Sequence, residues 1–295
     1  MAFLRYSVIR IPALLLLGFA LALPAHVYAG SDEAQVFLEK GWQQFHKHRP
    51  AHYAMAQRFF NQAKEADPDH AETDAALAAL YWRGYDEFWF NVLGVGRSDA
   101  RLLAKKHLEK ALEEPTARAY EVDCRMKSFR AKHEEALAAC RKALALAPED
   151  PDIRHAMALA LVYDGQPEEA LLHIDKARQS DPQMEDYHGY YEVMARFFVG
   201  DSTGAIAALE KAISANPGLW TFDEGLQSAT CNPCIFLIAA LADNGRTEEA
   251  KRLVKRFMDH HIDWTITNEM YYRPLRLETD IEHLTNALRA AGVPE

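Results

Sequence analysis

Small and apolar residues recur along this chain at spacings of four and three, with a proline five residues further on. The series reads Ala56, Phe60, Ala63, Pro68, then Ala136, Cys140, Ala143, Pro148, then Ala170, Ile174, Ala177, Pro182, then Ala205, Leu209, Ala212, Pro217. A weaker copy is Ala104, Leu108, Ala111, with Pro115 one place early, and another is Ala250, Val254, with Phe257 in place of the second alanine and no proline. The leading alanines at 136, 170 and 205 lie 34 and 35 residues apart. Spacings of four and three put these residues on one helical face, and the proline stops the helix. In three copies a glycine stands five residues ahead of the first alanine (Gly165, Gly200, Gly245), where a turn between helices can take positive φ at little cost. The Glu-Glu-Ala runs at 134–136, 168–170 and 248–250 set acids in a first helical turn, against the positive end of the helix dipole.

The pattern predicts helical pairs at 33–46 with 52–66, 71–84 with 99–112, 116–129 with 133–146, 151–163 with 167–180, 184–198 with 202–215, and 233–243 with 247–259. An amphipathic stretch at 278–291 would cap the end of the stack. Extra residues break the period at 85–98 and near 218–231, and such insertions usually project from one face and often touch a ligand. The segments DGQPEEALLHIDKARQSDP (164–182) and NGRTEEAKRLVKRF (244–257) resemble the tetratricopeptide repeat, although the tryptophan usual early in its first helix is missing from the central copies. The resemblance implies an all-α, right-handed α-solenoid of about six hairpins. Its first helices would line a concave groove for a protein or peptide partner, with no catalysis.

The 295 residues are 49% hydrophobic and 26% charged, the proportions of an ordinary globular protein rather than a low-complexity one. A formal charge of −10 without a basic block argues against a nucleic-acid partner. Residues 1–29 hold no acid; Arg5 and Arg10 precede the apolar run Ile11 to Leu23, and Val27 and Ala29 are small residues at signal-peptidase spacing. The run falls short of the roughly 20 residues a membrane span needs. The reading is a signal peptide at 1–29 cut after Ala29, a repeat solenoid at 30–277, and a capping helix with tail at 278–295. The expected location is the periplasm or outside the cell, with no stable membrane anchor after cleavage.

Four cysteines in an exported chain suggest two disulfides. Cys124 and Cys140 stand at equal distances from a predicted hairpin turn and should face each other, while Cys231 and Cys234 form a CNPC pair that could be structural or redox-active. Histidines at 46, 48 and 52 and at 260 and 261 have the residue types of a metal site, but the first set falls in a predicted turn and reads better as solvated surface. Tyr187, Tyr190, Met194 and Phe197 make one stripe on a first helix. With Arg118, Arg125 and His155 on neighbouring first helices, and Trp89 in the first insertion, they are the candidate partner-binding residues. The rival reading of the stripe is ordinary inter-repeat core. No GxSxG, HExxH, phosphate loop or dinucleotide fingerprint is present, so the reading is a non-enzyme without cofactor or metal. The expected function is an adaptor or assembly factor binding another envelope protein. The alternatives are a redox or metal-handling protein using Cys231, Cys234 and the histidines, or a self-assembling structural protein.

Overall fold

The computed structural model describes residues 25–181, 185–215 and 232–295, with side chains outside 25–31, 185–189, 213, 215, 232 and 233. Among them there is no strand. The helices are α1 (Ala25–Phe45), α2 (Pro50–Ala66), α3 (Ala71–Asp86), α4 (Arg97–Ala111), α5 (Ala117–Ser128), α6 (His133–Leu146) and α7 (Pro151–Tyr163). They continue with α8 (Pro167–Ser180), α9 (Glu185–Phe198), α10 (Ser202–Ala215), α11 (Asn232–Asp243), α12 (Thr247–Met258), α13 (Ile266–Tyr271) and α14 (Glu278–Ala290). A 3₁₀ turn at Phe90–Leu93 interrupts the first insertion.

Local chemistry explains the boundaries. Pro50, Pro151 and Pro167 open α2, α7 and α8, where a missing N–H costs nothing. Thr116 Oγ1 accepts from the Ala119 amide and Asp150 Oδ1 from the Ile153 amide, both at 3.2 Å, capping α5 and α7. The turn after α7 closes with Gly165 at φ +83° and a bond from the Gln166 amide to the Leu161 carbonyl, 2.9 Å. The turns after α9 and α11 repeat this geometry, with bonds of 2.8 Å from Asp201 to Arg196 and from Arg246 to Leu241. In the turn after α5 the same place is held by Ala131, at φ +54°.

The helices pair as α1 with α2, α3 with α4, α5 with α6, α7 with α8, α9 with α10 and α11 with α12, and α14 packs on α11. Successive first helices touch, forming an inner row, and the result is an all-α solenoid-like stack. The repeating residues form the contact between the members of each pair. Ala56, Phe60, Ala63, Ala136, Cys140, Ala143, Ala170, Ala177, Ala205 and Ala250 are all fully buried. Short side chains there let helix axes approach closely. A Cβ on Gly41 of α1 would lie 2.2 Å from the Phe60 ring.

Two elements depart from the sequence expectation. α1 begins at Ala25 instead of 33, running through the expected cleavage point without a proline to stop it. The segment 259–277 carries α13, capped by Thr265, whose Oγ1 accepts from the Asn268 amide at 3.1 Å; six residues are too few for a periodic signal. The insertion near 218–231 lies outside the described residues. No helix among the described residues is long and apolar enough to cross a membrane.

Candidate functional site

The inner row of helices is covered at two places, and this decides the fate of the expected binding residues. From Asp152 to Tyr163, every residue of α7 is buried. The turn after α1 covers its beginning: His46 Nε2 lies 3.0 Å from Asp152 Oδ2. Arg118 joins the same cluster, 3.1 Å from both Asp152 Oδ2 and Asp150 Oδ2, with its guanidinium 4.7 Å over the Trp42 ring. Arg125 pairs with Glu121 and donates to Tyr191 Oη at 2.8 Å and to the Asp152 carbonyl at 3.1 Å. Burial pushes the His155 imidazole down to about 3 and holds His48 well below the usual range, so both are neutral at pH 7. Arg118, Arg125 and His155 therefore tie first helices together rather than face an open channel.

The segment 259–277 covers the other end. The Arg276 amide donates to the Tyr163 carbonyl at 2.9 Å, and its guanidinium reaches Asp164 at 2.6 Å and Glu134 at 2.9 Å. A Cβ on Gly165 would come within 2.3 Å of Leu277, so glycine serves both the turn and this contact. Arg273 donates to Tyr190 Oη at 3.3 Å, pairs with Glu269, and stands 5.3 Å over the Phe236 ring. Trp264 Nε1 donates to the other Glu269 oxygen at 3.0 Å.

Met194 and Phe197 are fully buried, Phe197 against Phe236 and His283, and Tyr190 is half-buried under Arg273. Its described members Tyr190, Met194 and Phe197 pack as inter-repeat core, the rival reading of the stripe, and do not line an open groove. The side chain of Tyr187 lies outside the described residues. Trp89 is half-buried, edge-on to Tyr53 with ring centres 5.1 Å apart. It packs the insertion against α2 instead of standing clear of it.

An open cavity remains to one side, about 1120 Å³ in volume, between the first insertion with α4 and the strap 259–277. Its floor carries Trp82, Phe129 and Tyr163, and its rims carry Tyr85, Phe88, Tyr271 and Tyr272. Phe88 has φ +58°, a strained value for an aromatic residue, and its ring packs under Arg97 at 4.0 Å. Leu102, Ile262, Tyr271 and Tyr272 all line this groove while 59%, 79%, 82% and 73% exposed. Arg97, Arg101, Lys105, Arg130 and Arg273 face three carboxylates, Asp86, Asp263 and Glu269. Burial, with the Glu87 charge beside it, pushes the Asp86 carboxyl up to about 7 despite Arg83, Arg125 and Arg97 nearby. The Trp82 indole N–H is buried with no acceptor among the described residues. The sequence hinted at this groove only through the insertion aromatics, because its other wall comes from the unpredicted strap.

Cys124 and Cys140 face each other across the α5–α6 hairpin, Cα atoms 5.2 Å apart and sulfurs bonded. Cys234 is disulfide-bonded as well, and Cys231 lies outside the described residues. His52 Nδ1 meets Gln44 Oε1 at 2.8 Å, and His260 and His261 line the groove. No three His, Cys, Asp or Glu come together as a metal-binding group among the described residues.

A family model for the tetratricopeptide repeat matches residues 130–195, the stretch from the turn before α6 into α9. No curated protein matches the chain. Tetratricopeptide repeats generally mediate protein–protein interaction and scaffolding. The matched segment holds the glycine turn after α7, the Glu-Glu-Ala starts of α6 and α8 and the buried alanines of those two helices, and this part of the chain is a tetratricopeptide-repeat region.

Proposed function

We propose that the chain is an exported scaffold that holds a segment of another protein in the groove between α4 and the strap. The carrying observation is the groove itself, a concave site with four large apolar side chains left exposed on its lining. Soluble proteins rarely leave such a cluster uncovered, and interface centres favour Tyr, Trp and Arg. At about 1120 Å³ it exceeds the roughly 300–1,000 Å³ of ordinary small-molecule sites and suits a peptide segment. Export is supported by the basic start, apolar run and small residues of positions 1–29, and by cysteines in disulfides, which persist in oxidising compartments. In a bacterium this places the scaffold in the periplasm, as an adaptor or assembly factor of the envelope without catalysis of its own.

A photocrosslinking side chain at Tyr272 in living cells tests the binding reading, with Leu172 on the outer helix α8, 60% exposed, as the control. The expected result is a discrete adduct from position 272 and none from 172. Equal adducts from both positions would sink it. Intact mass of the purified protein tests export, with Gly30 expected as the first residue.

A further inference from the structure

Resting on that reading, we propose that the groove selects an acidic segment of a partner protein, with leucine or aromatic side chains on its rims and carboxylates against Arg101 and Arg130. The charge of the site opposes that of the whole. The chain carries −10, yet five cations line the groove against three carboxylates. Those carboxylates are weak competitors for the cations. Glu269 is spent on Arg273 and Trp264, and Asp86 holds its proton to far higher pH than an ordinary aspartate. Asp263 is exposed at the margin.

The cations are differently placed. Arg97 lies over the Tyr85 and Phe88 rings, at 4.8 and 4.0 Å, and Lys105 forms only an exposed pair with Glu109 at 3.3 Å, which contributes little. Arg101 on α4 and Arg130 in the α5–α6 turn are exposed, line the same cavity, and make no ion pair with a described residue. Two such guanidiniums beside an apolar wall fit carboxylates spaced along a peptide. The aromatic rims fit its apolar residues. An anionic membrane surface would share the charge logic. A lining that curves around a cavity suits an inserted segment better than a flat bilayer.

Three labelled synthetic peptides with one leucine and phenylalanine pattern, and with glutamate, lysine or serine at every other place, discriminate the cases. Their affinities for the full chain are read by fluorescence anisotropy at low and high salt. Vesicles of phosphatidylcholine with phosphatidylglycerol serve as a further probe. The glutamate peptide should bind at least about tenfold more tightly than the serine peptide, with the advantage shrinking as salt screens it. The double variant R101E/R130E should erase that advantage, with an unaltered helical spectrum. Equal affinity of glutamate and serine peptides, or an advantage that survives R101E/R130E, overturns the acidic preference while leaving the peptide groove standing. Failure of all three peptides removes both readings. Binding to the vesicles alone overturns both in favour of a membrane surface.

Discussion

Two aromatic groups in this molecule look alike on paper and have opposite fates. Tyr190, Phe197 and Phe198 sit on α9; Tyr85 and Phe88 sit at the end of α3 and in the insertion that follows. Phe197 touches Phe198, Phe236 and His283 and is fully buried, because α11 and α14 close over that part of the inner row. Tyr85 and Phe88 pack under Arg97 and border an open cavity. Periodicity made the first group conspicuous and gave the second none, yet the second borders the candidate site. A helical stripe reports which side faces inward. Whether that side is later covered depends on chain tens of residues away.

The comparison breaks if the covered group tolerates truncation. Phe197→Ala should cost about 3–5 kcal/mol in urea unfolding. Tyr272→Ala, at the open rim, should stay within about 0.5 kcal/mol and weaken peptide capture instead. Arg273→Ala tests the cover itself. Leaving Glu269 buried without its cation should cost roughly 3 kcal/mol or more, with faster hydrogen exchange across 266–277. If exchange there is unchanged, Arg273 is not what holds the strap.

The Cys124–Cys140 bridge, 16 residues apart in sequence, should contribute about 3 kcal/mol, read as a lowered urea midpoint in the Cys124→Ser, Cys140→Ser double variant. Asp86 sharpens the open side. Its folded-state pKa is raised to about 7, so the stability tied to its proton is complete below the ordinary carboxyl pKa near 4 and is lost as pH rises through 7. Asp86→Asn should flatten the decline of stability between about pH 4 and pH 7. An identical slope in the variant would show that other groups carry it. A gain is expected at Ala131, whose φ of +54° occupies the place held by glycine at 165, 200 and 245. Ala131→Gly should stabilise by roughly 0.5–1 kcal/mol, net of the entropy glycine adds to the unfolded chain.

Much of the fold was legible along the chain. The pairs from α2 to α12 begin and end within about two residues of the helical stretches read from the alanine spacing, because helix starts and stops are local chemistry: Pro50, Pro151, the Glu-Glu-Ala turns, Gly165. The Cys124–Cys140 juxtaposition followed from hairpin symmetry for the same reason. α13 escaped notice because a six-residue helix has no period to detect. The site was barely legible. Arg118, Arg125 and His155 looked like groove cations, since nothing in their own repeats announces that His46, Asp152 and Tyr191 will bury them.

By itself, the sequence determined the helical hairpins, their seams, their turns and the family to which they belong. These rest on interactions among residues three to about twenty positions apart, which spacing and composition encode directly. Only the tertiary structure decided which inward faces are sealed and where the opening lies. Arg276 meets Asp164 across more than a hundred residues, and Tyr271 and Tyr272 come to border the same cavity as Phe88 and Arg101. Such contacts form when the stack brings distant surfaces into register, and no local pattern records them.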